Sequence, residues 1–169
     1  MEEMALPGID VCRALLRYDG PAKRLVTDLK YQNDRRALSH LADALAALLD
    51  PPPQAVVTWV PTTPTRRRRR GFDQAALLAR AVARRWRCPC RNLLERQAGL
   101  PQTGRSMADR QRGVGLGVRT RRPLRSPVVV VDDVVTTGAT VRCGALALRA
   151  AGAPWVGAIA IARTPRSQS

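Results

Sequence analysis

Val128-Val129-Val130-Val131-Asp132-Asp133-Val134-Val135-Thr136-Thr137-Gly138-Ala139-Thr140 sets the fold class expected of this chain. Four β-branched residues in a row, Val128 to Val131, predict a strand buried on both faces, because a covered parallel strand tolerates so continuous an apolar run. Asp132 and Asp133 stand at its carboxyl end. Thr136 to Thr140 then form a small, hydroxyl-rich turn, and a helical pattern follows through Val141, Ala145 and Leu148 to a stop at Gly152. The first backbone N–H groups of a helix are unsatisfied donors carrying about half a positive charge, so a turn of small residues there suits a phosphate monoester. Thr136, Thr137 and Thr140 add hydroxyl donors, while Gly138 and Ala139 keep the turn open. The two carboxylates would repel that phosphate. Side by side they suit the vicinal hydroxyls of a ribose, or a Mg²⁺ that the ligand carries. The ligand implied is a ribose 5-phosphate.

Working outward, 169 residues with 45% hydrophobic content suit one domain with a real core. We read residues 1–169 as that single domain, with its core over about 18–163 and weak order in the N-terminal stretch and in the 164–169 tail. Met1-Glu2-Glu3 is acidic and no apolar core follows it, so we expect no secretory signal and a cytoplasmic protein. The longest apolar run, 153–162, is half the roughly twenty residues a spanning helix needs, so no membrane span is expected. The formal net charge of +16 suits a nucleic-acid partner, since a basic surface attracts phosphate backbones whatever their sequence. It equally suits a GC-biased coding sequence, because only Lys23 and Lys30 are lysines and arginine carries the rest. Aromatic residues, on which bases stack, make up only 4%. Cys12, Cys88, Cys90 and Cys143 form no CxxC pair and His40 is the only histidine, which speaks against a metal site made by the protein alone and for free thiols.

In chain order, residues 1–19 show little pattern. A helix is expected from Gly20, with Pro21 in its first turn and Leu25, Val26 and Leu29 on one face. After Asn33-Asp34 a second helix runs to about Leu49, its stripe at Leu38, Leu41, Leu45 and Leu48 and His40 off that stripe. Pro51 to Pro53 end it and lead into a strand over Ala55 to Val60. Pro61-Thr62-Thr63 then lie on the same edge of a parallel sheet as the acidic pair, where open α/β sheets bind ligands. Arg66, Arg67, Arg68, Arg69 and Arg70 follow. They read as a solvated run, as a cluster that neutralises a pyrophosphate, or as a DNA contact. Asp73 is placed to cap a helix whose buried face is Leu78, Val82 and Trp86, with Ala75, Ala79 and Ala83 allowing close approach. A short strand over Asn92 to Arg96, a polar segment over Gln97 to Arg112 and a last strand over Trp155 to Ala162 complete the pattern. Alternating strands and helices predict a mostly parallel central sheet flanked by helices.

The stretch from Val128 to Thr140 resembles, at every position, the PRPP (5-phosphoribosyl 1-pyrophosphate) binding motif of type I phosphoribosyltransferases. Residues 60–83, VPTTPTRRRRRGFDQAALLARAVA, are similar to the ComF family of competence-associated phosphoribosyltransferase-like proteins, whose pattern couples a Val-Pro loop to an Arg-Gly-Phe-Asn-Gln helix start. Lys30-Tyr31 also fits. The likeness runs over roughly residues 18–163. It implies a type I phosphoribosyltransferase fold and PRPP with Mg²⁺ as ligand. Asp132 and Asp133 would then hold the ribose hydroxyls with Mg²⁺ nearby, Thr136, Thr137, Gly138, Ala139 and Thr140 the 5-phosphate, and Pro61, Thr62 and Thr63 would border the pyrophosphate. The polar segment resembles the family's flexible active-site loop, and its Arg105 and Arg110 would close over the pyrophosphate and exclude water. There are departures. The four-cysteine zinc module that opens many ComF-like proteins is missing, so no zinc is expected; Asp73 replaces the usual Asn; Gly113 replaces an Asn of the flexible loop, and the Phe usual a few residues on is missing.

As an enzyme the chain would displace pyrophosphate from ribose C1, a pentosyl transfer helped by Mg²⁺ and arginines on the leaving group and needing no covalent nucleophile. No pocket for an accepting base or amine is legible in the sequence. A rival reading is therefore an accessory factor in DNA uptake that binds single-stranded DNA and a competence helicase or recombination partner, and a third is nucleotide salvage. Type I relatives are often dimers, and by that analogy a homodimer is implied.

Overall fold

The computed structural model describes residues 2–32, 35–63, 65, 68, 73–97 and 115–164. Its strands are β1 (Glu2–Glu3), β2 (Val11–Arg17), β3 (Val56–Trp59), β4 (Leu94–Arg96), β5 (Leu116–Val118), β6 (Val128–Val135) and β7 (Val156–Arg163). Its helices are α1 (Gly20–Gln32), α2 (Arg35–Ala46), α3 (Gln74–Trp86) and α4 (Ala139–Ala150). The main sheet runs β1-β2-β7-β6-β3, with β2, β7, β6 and β3 mutually parallel and the short β1 antiparallel at one edge. β4 and β5 pair separately and antiparallel.

The valine run lies between β7 and β3, with Val131 opposite both Ile159 and Trp59. Val128 to Val131 are wholly buried, because each face of the sheet carries its own layer. On one face α2 and α3 bring Leu41, Leu45, Leu78 and Val82 against Val57, Val129, Val131, Ile159 and Ile161. On the other, α4 and the β4–β5 pair bring Val141, Ala145, Leu148, Leu94 and Leu116 against Val128, Val130, Val156, Ala158 and Ala160. Burying each such Leu, Ile or Val contributes about 1.5–3 kcal/mol. The alanines of β7 and Gly144 of α4 let these layers close, and a Cβ on Gly144 would stand 3.0 Å from Leu94 Cδ1.

Residues 11–17, which show little pattern in the sequence, form β2 and pair with β7 over its length. Two arginines hide this strand. Arg13 sits half-buried and donates from Nη1 to the Leu48 carbonyl, 2.8 Å away past the end of α2, so a charged residue within the layer finds its acceptor there. The strand β6 is also longer than its valine run, extending through the acidic pair to Val135. Strict alternation is not kept along it. Val129 and Val131 face the α2–α3 layer and Val128 and Val130 the α4 layer, yet Val134 packs with the first group and Val135 with the second. The pleat therefore changes phase at Asp132–Asp133.

Candidate functional site

The carboxyl ends of β2, β3 and β6 open into a cavity of about 360 Å³. Asp132, Asp133, Thr136, Thr140, Pro61 and Thr62 line it together. Tyr18, Gln74 and Arg96 line it as well, and sequence reasoning missed these three as site residues. A larger cavity of about 850 Å³ adjoins it and shares Pro61, Thr62, Asp73 and Arg96 with it. This second space is bounded by α3 and the β4–β5 pair, and Arg68, Arg80 and Arg119 reach it. Arg80 lies over the ring of Trp59, 5.6 Å from its centroid.

Both carboxylates are half-buried and bent back onto their own strand. Asp132 Oδ1 accepts the N–H of Asp133 at 2.8 Å, and Asp133 Oδ1 accepts the N–H of Val134 at 2.7 Å. These bonds accompany the change of phase in the pleat and turn both side chains toward one cavity. Beyond Val135 the chain turns through Thr136 and Thr137. Gly138 caps α4 with φ 75° and offers no side chain to its first N–H groups. Thr137 Oγ1 accepts the N–H of Ala139 at 3.3 Å. Thr137 and Gly138 border a third cavity, of about 440 Å³, behind the turn, together with Met4, Leu6, Arg17 and Arg163. Ala139 is exposed.

The loop after β3 is tied at its two described ends. Asp73 caps α3 by accepting the N–H of Ala76 at 3.5 Å, and its second oxygen accepts the N–H of Thr62 at 3.0 Å. Arg96 Nε donates to the Pro61 carbonyl at 2.7 Å. The Asp found where the resembled pattern has Asn is thus spent on the loop's own backbone. Thr63 is half-buried in the same loop, and Arg68 is exposed. Arg66, Arg67, Arg69, Arg70, Arg105 and Arg110 lie outside the described residues, as does the tail from residue 165.

Among the described residues no three His, Cys, Asp or Glu side chains gather as a metal site. A pair of carboxylates beside a phosphate-sized turn fits a hard cation that arrives on the ligand, because Mg²⁺ keeps most of its sites for phosphate oxygens and water. All four cysteines are free thiols. Cys12 lies beneath the acidic pair, 1% exposed, and its thiol is pushed up from 9.0 to about 11, first by burial and then by the Asp132 carboxylate, with Arg163 opposing. Below pH 9.0 both folded and unfolded chains hold this proton, so its stabilising contribution is whole. As pH climbs from there toward about 11 only the unfolded chain ionises, and stability falls by about 1.4 kcal/mol per unit. Urea midpoints from pH 8 to 11 should therefore decline less steeply in Cys12→Ala than in the parent chain; parallel curves would refute this.

No helix among the described residues is long and apolar enough to cross a membrane. No family model and no curated protein matches the chain. Solved structures do. The chain is similar to the allosteric regulatory enzyme of purine biosynthesis at 26% identity, with a TM-score of 0.50 over 73% of this chain and 25% of that one. It spans a quarter of that protein's length. It is also similar to the adenine phosphoribosyl transferase from Trypanosoma brucei, a structure in complex with AMP, pyrophosphate and ribose-5-phosphate, at 14% identity and a TM-score of 0.53 over 96% of this chain and 75% of that one. With its parallel sheet between two layers and its acidic strand leading into a glycine-capped helix, the chain has the type I phosphoribosyltransferase fold.

Proposed function

We propose that this chain binds PRPP with Mg²⁺ in the cavity at the carboxyl edge of its sheet and transfers the 5-phosphoribosyl group to an acceptor. The observation that carries the reading is one continuous strand, turn and helix: Asp132, Asp133, Thr136 and Thr140 face the same cavity as Pro61 and Thr62 of the neighbouring loop. In this reading the start of α4 and its threonines hold the 5-phosphate. Asp132 and Asp133 take the vicinal hydroxyls and orient C1, and Thr62 and Arg96 border the pyrophosphate. Mg²⁺ bound with the ligand would neutralise charge on the leaving pyrophosphate. The similarity of residues 60–83 to the ComF pattern supports a place in that family and a link to DNA uptake.

A second reading, an accessory factor on single-stranded DNA, is favoured by one observation. Arg80 and Arg84 are exposed four residues apart on α3, and Arg87 is exposed just past its end.

Thermal unfolding with Mg²⁺ alone and with added PRPP tests the first reading. PRPP at a hundred times its dissociation constant contributes about 2.7 kcal/mol. At about 2–4 °C per kcal/mol for a domain of this size, the melting temperature should rise by several degrees. An unmoved transition at millimolar PRPP would end the assignment and direct attention to DNA and the α3 arginines.

A further inference from the structure

We infer that Asp73 is an internal competitor for the pyrophosphate end of the ligand: its carboxylate holds the Thr62 N–H that pyrophosphate would otherwise take, and so weakens the grip of this chain on pyrophosphate. The inference rests on the PRPP reading and deepens it at the pyrophosphate side of the same site. Thr62 and Asp73 line the smaller cavity together with Asp132 and Asp133, and they also line the larger cavity beside it. Both residues are half-buried. Asp73 Oδ2 accepts the Thr62 N–H at 3.0 Å, while Oδ1 caps α3 through the N–H of Ala76 at 3.5 Å.

A backbone N–H has one hydrogen to give. A pyrophosphate oxygen arriving beside Thr62 either displaces the carboxylate or finds this donor already engaged. Pro61 brings no N–H of its own, and its carbonyl is taken by Arg96 Nε at 2.7 Å. The charge on Asp73 adds to the competition. Among the described residues no arginine forms an ion pair with it, although Arg68 and Arg96 line the same larger cavity. A carboxylate without a cationic partner raises the cost of bringing a second anion beside it. Asp73 therefore opposes a ligand that carries pyrophosphate and spares one that ends at the ribose, because the turn and helix start read as the 5-phosphate cradle include neither Thr62 nor Asp73.

The test titrates the parent chain, Asp73→Asn and Asp73→Ser by calorimetry with PRPP, inorganic pyrophosphate and ribose 5-phosphate, each in the presence of Mg²⁺. Asn and Ser both cap helices, so unliganded unfolding should match the parent's. Both variants should bind PRPP and pyrophosphate about tenfold more tightly, the order expected when one unpaired like charge leaves the site. Ribose 5-phosphate should bind as it does to the parent, a split that loss of a merely structural tie would not produce. Glu95→Gln neutralises a carboxylate on the larger cavity that already faces Arg119 at 3.4 Å, and it should leave all three affinities unchanged. Tighter binding in Asp73→Asn alone would credit the new amide donor and overturn the inference. Equal gains for ribose 5-phosphate, unchanged or weaker binding of PRPP, or a raised Mg²⁺ requirement, which would make Asp73 a metal ligand, would each overturn it as well. If neither the parent nor any variant binds PRPP, the underlying reading falls, a result distinct from PRPP binding that the Asp73 substitutions leave unmoved.

Discussion

Asp132→Asn with Asp133→Asn should abolish stabilisation by PRPP while leaving the unliganded transition within about 1 kcal/mol of the parent. Each Asn keeps an oxygen that can accept the following backbone N–H, so the bonds that bend the strand, 2.8 and 2.7 Å long in the parent, survive. What disappears is the charge. A hydrogen bond to a charged group contributes about 1.5–3 kcal/mol, so losing two weakens binding by at least about a hundredfold. Single substitutions carry further information, because the pleat changes phase between these residues and the two carboxylates do not approach the cavity alike. Melting curves with and without PRPP, run on all three variants, decide it. A double variant that still shifts as the parent does would remove the acidic pair from the site.

Gly138→Ala should damage both the fold and the binding. Gly138 has φ 75°, where any Cβ costs about 1–2 kcal/mol. An added Cβ would also stand 2.7 Å from Leu6 Cδ2 and 2.9 Å from Cδ1. Leu6 belongs to the segment after β1, a strand held to β2 by two residue pairs, so this segment yields before the turn does. We expect a loss of about 1–2 kcal/mol in the unliganded chain together with a weaker PRPP shift, because the added methyl strains the left-handed cap that offers the first N–H groups of α4. Leu6→Ala added to Gly138→Ala should recover the clash and not the φ strain. Urea unfolding of the single and double variants separates the two. Parent-like stability and a parent-like PRPP shift in Gly138→Ala would mean that the turn is not the phosphate cradle.

Much of this was legible in residue order. The valine run, the acids and the small turn are adjacent in the chain, and their roles follow from local chemistry: β-branched residues for a covered strand, a glycine for a left-handed cap, free N–H groups for an anion. The stripe of α2 and the Asp73 cap of α3 were readable for the same reason. Buried Leu41, Leu45 and Leu48 and the Asp73-to-Ala76 bond lie where period and capping rules put them. The strand β2 was not legible, because Arg13 and Arg17 break its apolar pattern and the carbonyl that Arg13 Nη1 reaches lies 35 residues away. The β4–β5 pair escaped in part as well: β4 falls within the short strand expected over Asn92 to Arg96, but β5 is three residues long and has meaning only beside β4.

That a buried parallel strand would end in two carboxylates and hand the chain to a helix start follows from residue order, since each of those steps depends on neighbours a few residues apart. Which other groups share that space depends on packing between elements far apart in the chain. Tyr18 comes from the end of β2, Gln74 from the start of α3 and Arg96 from the end of β4, and no local rule links them to Asp132. Their meeting depends on the strand order β2-β7-β6-β3, set by which apolar faces bury one another across the whole sheet. The same is true of Gln74 Oε1, which is buried with no hydrogen-bond donor among the described residues: such burial is a property of packing and has no signature in residue order.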